Sequence, residues 1–330
     1  MPVRDVLIVG GGPSGLATAI AAKHFGLDYV VIEQGSLVDA IRRFPTNMVF
    51  FTTPELLEIG GIPLTTPFDK PTRAEALQYY RKVVDTFQLQ VQLYEAVVSI
   101  QPPPEPGGAF SVESRTSRGV VRVREARNVV LAMGYYGLPN LLDVPGETLP
   151  HVSHYYQEAH PYYRQRVVIV GGKNSAAEAA LEIYRSGGSV TLVHRGPGFG
   201  ESVKYWVKPD IENRVREGSI AAHFNAHVIE ITPTEVVLDT GVRLPAEHVL
   251  LLTGYRADPE FMRGIGVQIH DDTLAPKYDV DTYETDVPGL FVAGGQVAGK
   301  RTGSVFIENG RFHGEVIAKS ISSRGIFRLP

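Results

Sequence analysis

Short apolar runs that end on glycine dominate the hydrophobic pattern of this 330-residue chain. Val6-Leu-Ile-Val9 is followed at once by Gly10-Gly-Gly12. A run of aliphatic side chains bounded by glycine reads as a strand buried on both faces. An alanine-rich segment follows, then Gly26 and a second apolar run, Val30-Val-Ile32, closed by Glu33. The same order returns later. Val167-Val-Ile-Val170 meets Gly171-Gly172, an alanine-rich segment leads to Gly187, and Val190-Thr-Leu-Val193 is closed by His194. Gly10 and Gly171 are 161 positions apart, and so are Glu33 and His194. The two stretches align without a gap. Each reads as strand, glycine turn, helix and strand, a βαβ unit made twice.

Between the copies the pattern changes. Phe44 to Gly61 carries too much Thr, Pro and Phe for a helix. Thr72 to Phe87 has helical spacing, with Thr72 as N-cap and Glu75 completing a capping box. Leu89 to Ile100 reads as a strand, Gln101 to Gly108 as a proline-rich turn, and Phe110–Ser114 with Val120–Val123 as a hairpin. Val129 to Met133 is a buried strand ending at Gly134. After the second copy, His223–Ile231, Glu235–Leu238 and Val249–Thr253 read as strands, the last ending at Gly254 as its counterpart ends at Gly134. Leu290–Ala293, the pair Gly294-Gly295 and a helix from about Val305 to Ile321 complete the pattern.

Single cores rarely grow to this length, so two domains are expected. The fold class is α/β: two Rossmann-like three-layer nucleotide-binding domains, the second inserted into the first. Residues 1–140 and 259–330 form the outer domain and residues 141–258 the inserted one. A C-terminal strand–glycine–helix standing alone would bury too little surface, whereas it completes the crevice of the first domain.

Composition narrows the chemistry. A net charge of -4 gives no electrostatic case for nucleic acid or an anionic membrane. No apolar run approaches the about 18 residues of a membrane helix, and the N-terminus lacks the basic and apolar regions of a secretory leader. The chain has no cysteine. No thiolate, dithiol relay or Cys-ligated metal or cluster can therefore operate, and no metal site is expected.

The two glycine turns carry specific chemistry. Gly10, Gly12 and Gly15 make G-x-G-x-x-G between a strand and a helix. The first glycine allows the tight turn, the second lets backbone approach a pyrophosphate, and the third lets the helix pack on the strand. The pyrophosphate would sit on the positive end of the helix dipole. Glu33 stands where a carboxylate can accept from a ribose hydroxyl. In the second copy Lys173 replaces the middle glycine and Ala176 the last. Lys173 either loosens the approach or adds its ammonium to it. The acid position is His194, followed by Arg195. A carboxylate would repel a 2′-phosphate, whereas this pair suits one, so NADPH is expected over NADH.

These residues resemble the pyridine nucleotide-disulfide oxidoreductase superfamily, low-molecular-weight thioredoxin reductase branch, over essentially the whole chain. Phe44-Pro-Thr-Asn-Met48, Phe50-Phe-Thr-Thr53, Glu55-Leu-Leu-Glu-Ile-Gly60, Val152-Ser-His-Tyr-Tyr156, Gly171-Gly-Lys-Asn-Ser-Ala176 and Phe306-Ile-Glu-Asn-Gly-Arg-Phe-His-Gly314 resemble the bacillithiol disulfide reductase family. The resemblance implies a cytoplasmic, homo-oligomeric, FAD-containing, NADPH-dependent enzyme that reduces the disulfide of a small thiol. It implies no nucleic-acid or membrane partner. By match of motif, Gly12, Pro13, Ser14, Glu33 and Gln34 would hold FAD phosphates and ribose. Asn47 and Met48 would lie near the isoalloxazine, Val97 would offer backbone to the adenine, and Ala132 and Gly134 would lie close to the adenosine half. Gly294, Gly295 and the start of the closing helix at Phe306 would meet the ribityl and flavin edge. Gly171, Gly172, Lys173, Asn174, Ser175 and Gly254 would meet the nicotinamide nucleotide. In the wider superfamily an Asp usually follows the glycine equivalent to Gly294; here Gly295 leaves that contact to a neighbour such as Gln296.

One departure stands out. Typical bacillithiol reductases resembling this chain carry cysteine where Ser14 stands. A hydroxyl of ordinary acidity forms no mixed disulfide, so a thiol relay is excluded. Ser14, His313 and Glu308 are the candidate catalytic residues, the last two as proton donors. His313 reads equally as a surface or subunit-contact residue, and His154 with Tyr155 and Tyr156 as an interdomain packing cluster. The terminal acceptor stays open among a small disulfide, a ferredoxin-like protein and oxygen, as in flavin monooxygenases or oxidases. A non-enzymatic NADPH sensor is the remaining alternative.

Overall fold

The computed structural model describes residues 2–105 and 107–324; Pro106, within the expected proline-rich turn, lies outside the described residues. The chain divides into two compact units. The first takes Met1–Arg43, Met48–Leu138 and Tyr255–Pro330; the second takes Phe44–Asn47 and Pro139–Gly254.

A seven-stranded sheet organises the first unit. Val91–Gln92, Tyr29–Ile32, Arg4–Val9 and Val121–Leu131 lie side by side and parallel. Val121–Leu131 changes neighbours halfway. Its first part pairs antiparallel with Phe110–Thr116, and its last three residues pair parallel with Leu290–Val292. The expected strands Val120–Val123 and Val129–Met133 are thus one strand of 11 residues. Alternating Val121-Arg-Val-Arg suits a one-sided meander, and the apolar tail suits a sheet covered on both faces. That change of period made one strand read as two. Leu89–Ile100 divides the other way, into Val91–Gln92 and Glu95–Gln101, because Tyr94 turns left-handed at φ 56°.

Helix Pro13–His24 covers this sheet and packs closely on helix His313–Arg324. A Cβ at Gly314 would lie 2.5 Å from the Thr18 nitrogen, so only glycine allows the approach. The expected closing helix is interrupted: Ile307–Gly310 makes one turn and His313 restarts it. At the break, the Arg311 side chain donates to the Glu55 and Glu58 carbonyls at 2.7 and 2.6 Å. Helix Arg73–Phe87 carries the expected capping box, Thr72 and Glu75 each bonding the other's backbone.

The second unit has five parallel strands in the order Ala221–Phe224, Ser189–His194, Arg166–Val170, His248–Leu251, Val152–Ser153. Val167 and Ile169 join one core cluster and Val168 and Val170 another, so the central strand is buried on both faces. His223–Ile231 is not one strand. Asn225, at φ 52°, separates Ala221–Phe224 from Val228–Ile231, which pairs in a separate three-stranded antiparallel sheet. Helix Lys208–Arg216 gave no apolar signal because Ile211 is its one buried residue. His154 and Tyr156 pack inside this unit, His154 Nε2 lying 3.3 Å from Glu147 and Tyr156 donating to Glu182 at 2.6 Å. Among the described residues, no helix is long and apolar enough to cross a membrane.

One buried charge cluster ties the three strands of the meander together. Glu95 is 1% exposed and accepts from Arg122, Arg124 and Ser114. Burial pushes its carboxyl up, but the two guanidiniums and the Ser114 hydroxyl hold it below the usual range. Removing one partner strands a buried charge, which costs about 3–5 kcal/mol. Glu95→Ala should lower stability by that order, read as a shift in the urea midpoint. The double variant Glu95→Leu/Arg124→Met should recover most of it; no recovery would mean the cluster contributes through something other than charge pairing.

Candidate functional site

The first glycine turn is shaped by how closely it passes its neighbours. Gly10 donates to the Ile32 carbonyl at 2.8 Å and sits at φ 109°. A Cβ there would collide with the Ala132 carbonyl, and one at Gly15 with the Gly10 carbonyl. Gly12 differs: nothing lies within 4 Å of where its Cβ would be. It is the N-cap of helix Pro13–His24 and supplies no side-chain cap. The first intrahelical bond comes from Leu16 to the Gly12 carbonyl. The Ser14 and Gly15 N–H groups therefore have no helical acceptor. An uncapped helix start under open space is a fitted cradle for a phosphate. Glu33 is buried, its two oxygens accepting from Gly11 and Gly35 at 2.7 and 2.8 Å. Burial pushes its carboxyl up, and those two N–H groups pull it back.

Beyond Glu33 opens a cavity of about 720 Å³, lined by Gln34, Ser36, Arg42, Arg43 and Tyr94 among others. Asp39 anchors it. It accepts from Ser36 at 3.1 Å and Arg42 at 2.7 Å, and Arg43 approaches it at 3.1 Å. Burial would push the Asp39 carboxyl up, yet Arg42, Ser36 and Arg43 hold it low. Sequence reasoning missed these residues. The available signal was an acid followed by two arginines, Asp39-Ala-Ile-Arg-Arg43, one turn past the strand acid.

Behind the turn, the segment Phe306–Gly314 ties four pieces of the first unit together. The Ser14 hydroxyl lies against Gly294, where a Cβ would strike it, and 3.1 Å from where a Cβ of Gly310 would be. A Cβ at Gly310 would also lie 3.1 Å from the Gly294 Cα. His313 is 7% exposed, and its Nδ1 accepts from the Gly294 N–H at 3.1 Å. Its ring stacks on Tyr283 at 4.2 Å between centroids, 18° from parallel. Burial lowers its pKa to about 4. His313 is therefore neither on the surface nor charged near neutrality. Asn309 holds Phe306 N–H and the Ser304 carbonyl at 2.8 and 2.9 Å. Ser14, Gly294, Gly310 and His313 are thus brought together. Phe306 is exposed and Glu308 partly so.

The Gly295 position is closed by an aromatic ring. A Cβ there would meet Tyr135 Cδ1 at 2.6 Å, so no aspartate fits unless the ring moves. Burial raises the Tyr135 phenol to about 12. Gln296 is 1% exposed. Its amide nitrogen donates to the Gly134 carbonyl at 3.1 Å and fastens the turn to the strand end, while its buried Oε1 has no partner among the described residues. Val97 lies in Glu95–Gln101 at the edge of the sheet. Met48 belongs to the first unit and accepts from Arg73 N–H at 2.8 Å, whereas Asn47 groups with the second. There it lines a cavity with His160, Glu182 and Arg185.

The second glycine turn repeats the first atom for atom at its tightest point. Gly171, at φ 154°, donates to Val193 at 3.0 Å, and a Cβ there would lie 2.6 Å from the Leu252 carbonyl oxygen. Leu252 and Gly254 play the parts of Ala132 and Gly134. The differences lie at the rim. The His194 ring lies against Gly172, 2.5 Å from where its Cβ would be. Burial first, then Arg195 and Lys173, push the His194 pKa below its ordinary value. His194 thus packs against the turn with its charged form disfavoured, beside the cations Arg195 and Lys173. Arg195 is exposed and makes no ion pair among the described residues. Lys173 is the exposed N-cap of helix Asn174–Arg185. Asn174 clips the following loop to the turn, donating to Ser202 at 3.0 Å and accepting from Lys204 at 2.9 Å. Ser175 is exposed at the same helix start. Among the described residues no group of acids and histidines forms a metal site.

Two such turns define a two-nucleotide flavoprotein architecture. The model of the pyridine nucleotide-disulphide oxidoreductase family matches residues 7–294, and the chain belongs to this family. It is a flavoprotein oxidoreductase, a class that uses a flavin and a pyridine nucleotide. Bacilliredoxin reductase Bdr of Bacillus subtilis (strain 168) is 42% identical over 325 residues, 97% of this chain and 98% of that protein. The structure of bacillithiol disulfide reductase Bdr (YpdA) from Bacillus cereus is 43% identical, with a TM-score of 0.95 over 98% of this chain and 100% of that one. A ferredoxin–NADP reductase of Ignicoccus hospitalis is 25% identical over 299 residues, 88% of this chain and 90% of that protein.

His313 makes stability depend on pH with a definite sign. Its folded pKa of about 4 lies below the ordinary 6.5, so between those values the unfolded chain binds the extra proton. The imidazole's contribution is complete above pH 6.5 and declines as pH falls toward 4. Thermal midpoints of wild type and His313→Asn, compared across that range, should converge as pH falls, because asparagine does not titrate. A constant difference would show that His313 is not held neutral.

Proposed function

We propose that the first unit holds FAD and the second NADPH, and that the chain passes electrons from NADPH through the flavin to the disulfide of a small thiol. The observation that carries this reading is the matched pair of glycine turns with opposite rims, Glu33 on the first and Arg195 on the second. Bound FAD supplies the chemistry, accepting hydride from a reduced nicotinamide and releasing electrons to an acceptor. The chain supplies placement. Gly12 and the Ser14 and Gly15 N–H groups would take the pyrophosphate, with Arg42 and Arg43 adding charge at the cavity beyond. Glu33 would accept from the adenosine ribose. Gly171 with Asn174 and Ser175 at the helix start would receive the NADPH pyrophosphate, and Arg195 its 2′-phosphate.

The relatives' names point to bacillithiol disulfide as acceptor. The balanced reaction is NADPH, a proton and one disulfide giving NADP⁺ and two thiols. With no cysteine in the chain, the disulfide must meet the flavin directly, and Ser14 acts there as a packing and hydrogen-bonding group. The same absence favours a second reading, two one-electron transfers to a ferredoxin-like protein, which need no thiol. The assembly is proposed to be a cytoplasmic homo-oligomer, for which exposed Phe306, Phe312 and Val316 offer apolar surface.

Steady-state NADPH oxidation without oxygen, run against bacillithiol disulfide and against ferredoxin, separates the two acceptors. Turnover with the disulfide supports the first reading; turnover confined to ferredoxin replaces it, and none with either removes both. Ser14→Cys should raise disulfide turnover if the position faces the substrate. Arg195→Glu should raise the KM for NADPH at least about tenfold, the scale of one charge-assisted contact, and leave that for NADH within about twofold. Equal losses for both nucleotides would remove Arg195 from 2′-phosphate recognition.

A further inference from the structure

His313 occupies the position where a proton donor is sought, but its surroundings assign it another task. Its Nδ1 is taken up by the Gly294 N–H at 3.1 Å, so the proton of the neutral ring sits on Nε2. Its flat face is fixed by Tyr283, and Tyr278 stacks behind at 5.9 Å and 11°. Only 7% of the residue meets solvent, so its ring is held within the protein by Tyr283 and the Gly294 N–H. Gly294 is also buried, whereas the next residue, Gly295, is partly open. Gly294, Gly310 and the Ser14 hydroxyl crowd one another so closely that a Cβ at either glycine would meet the hydroxyl.

We infer that His313 is a positioning residue: by capturing the Gly294 N–H it locks the Gly294–Gly295 turn against Ser14 and so presets one wall of the flavin groove. The inference rests on the proposed placement of FAD in the first unit. Without the imidazole acceptor, the Gly294 N–H is a buried donor with no partner, and the turn is free to rotate toward another acceptor. The wall then has to be rebuilt each time the cofactor binds, which weakens binding and perturbs the flavin's surroundings.

Two substitutions separate this role from others. Phenylalanine keeps a ring on Tyr283 and lacks the acceptor. Asparagine loses the ring and places Oδ1 where Nδ1 was. FAD affinity is measured by flavin fluorescence on apo-protein, together with the visible spectrum and turnover. His313→Phe should raise the FAD Kd at least about tenfold and shift the flavin absorption bands, as expected for a lost buried hydrogen bond. His313→Asn should stay within about threefold of wild type. If both variants bind FAD as wild type does but lose acceptor turnover, His313 is a proton donor and the inference falls. If both lower the thermal midpoint and leave the FAD Kd unchanged, the residue only packs. A wild-type protein that binds no FAD would instead overturn the underlying placement. Should His313→Phe fail to fold, ¹⁵N resonances of the wild-type histidine decide: a bare Nδ1 and protonated Nε2 at neutral pH are expected, and a doubly protonated ring contradicts the positioning role.

Discussion

Close backbone approach at Gly10 is the constraint on which the first unit depends. The turn passes beneath the Ala132 carbonyl with no room for a side chain. That contact brings the ends of Arg4–Val9 and Val121–Leu131 level and aims helix Pro13–His24 outward from the sheet. It leaves Gly12 under open space and two N–H groups without acceptors. The cradle is therefore a by-product of strand-to-turn packing. The second unit reaches the same result with Gly171 beneath Leu252. The two rims differ in charge, with a buried Glu33 on the first and an exposed Arg195 on the second; the proposed division between FAD and NADPH rests on that difference.

At the proposed flavin end, packing converges on Ser14. Its hydroxyl fits between Gly294 and Gly310, and His313 holds Gly294 in place from behind. The unusual segment Phe306–Gly314 is explained by these duties in turn. Asn309 caps its start, Gly310 admits Ser14, Arg311 grips the Glu55 and Glu58 carbonyls, His313 fixes Gly294, and Gly314 admits Thr18. With no cysteine, the chain itself can form no disulfide, so under the proposed function the reducing equivalents would be held on the flavin alone.

The glycine turns were legible in the sequence because each glycine answers a local steric demand at fixed spacing. The capping box at Thr72 and Glu75 was legible for the same reason. Features that depend on neighbours distant in sequence were not. Val121–Leu131 looked like two strands because its partners change midway. Asp39, Arg42 and Arg43 follow irregular chain, so no periodicity marks them as a lining. That His194 packs against Gly172, with its charged form disfavoured, was not visible in the local pattern. No local pattern showed that Tyr135 closes the Gly295 position or that the Gln296 amide nitrogen is held by the Gly134 carbonyl. Burial decides charge and direction in both cases, and burial is a property of the fold.

The central claim is that this cysteine-free chain stores reducing equivalents on its flavin alone. An anaerobic titration of the FAD-loaded protein with NADPH, followed through the visible flavin bands, tests it most directly. Complete bleaching at one NADPH per flavin, with no further uptake, is the predicted result. A flavin that stays oxidised in excess NADPH, or an endpoint beyond one equivalent, would contradict the account.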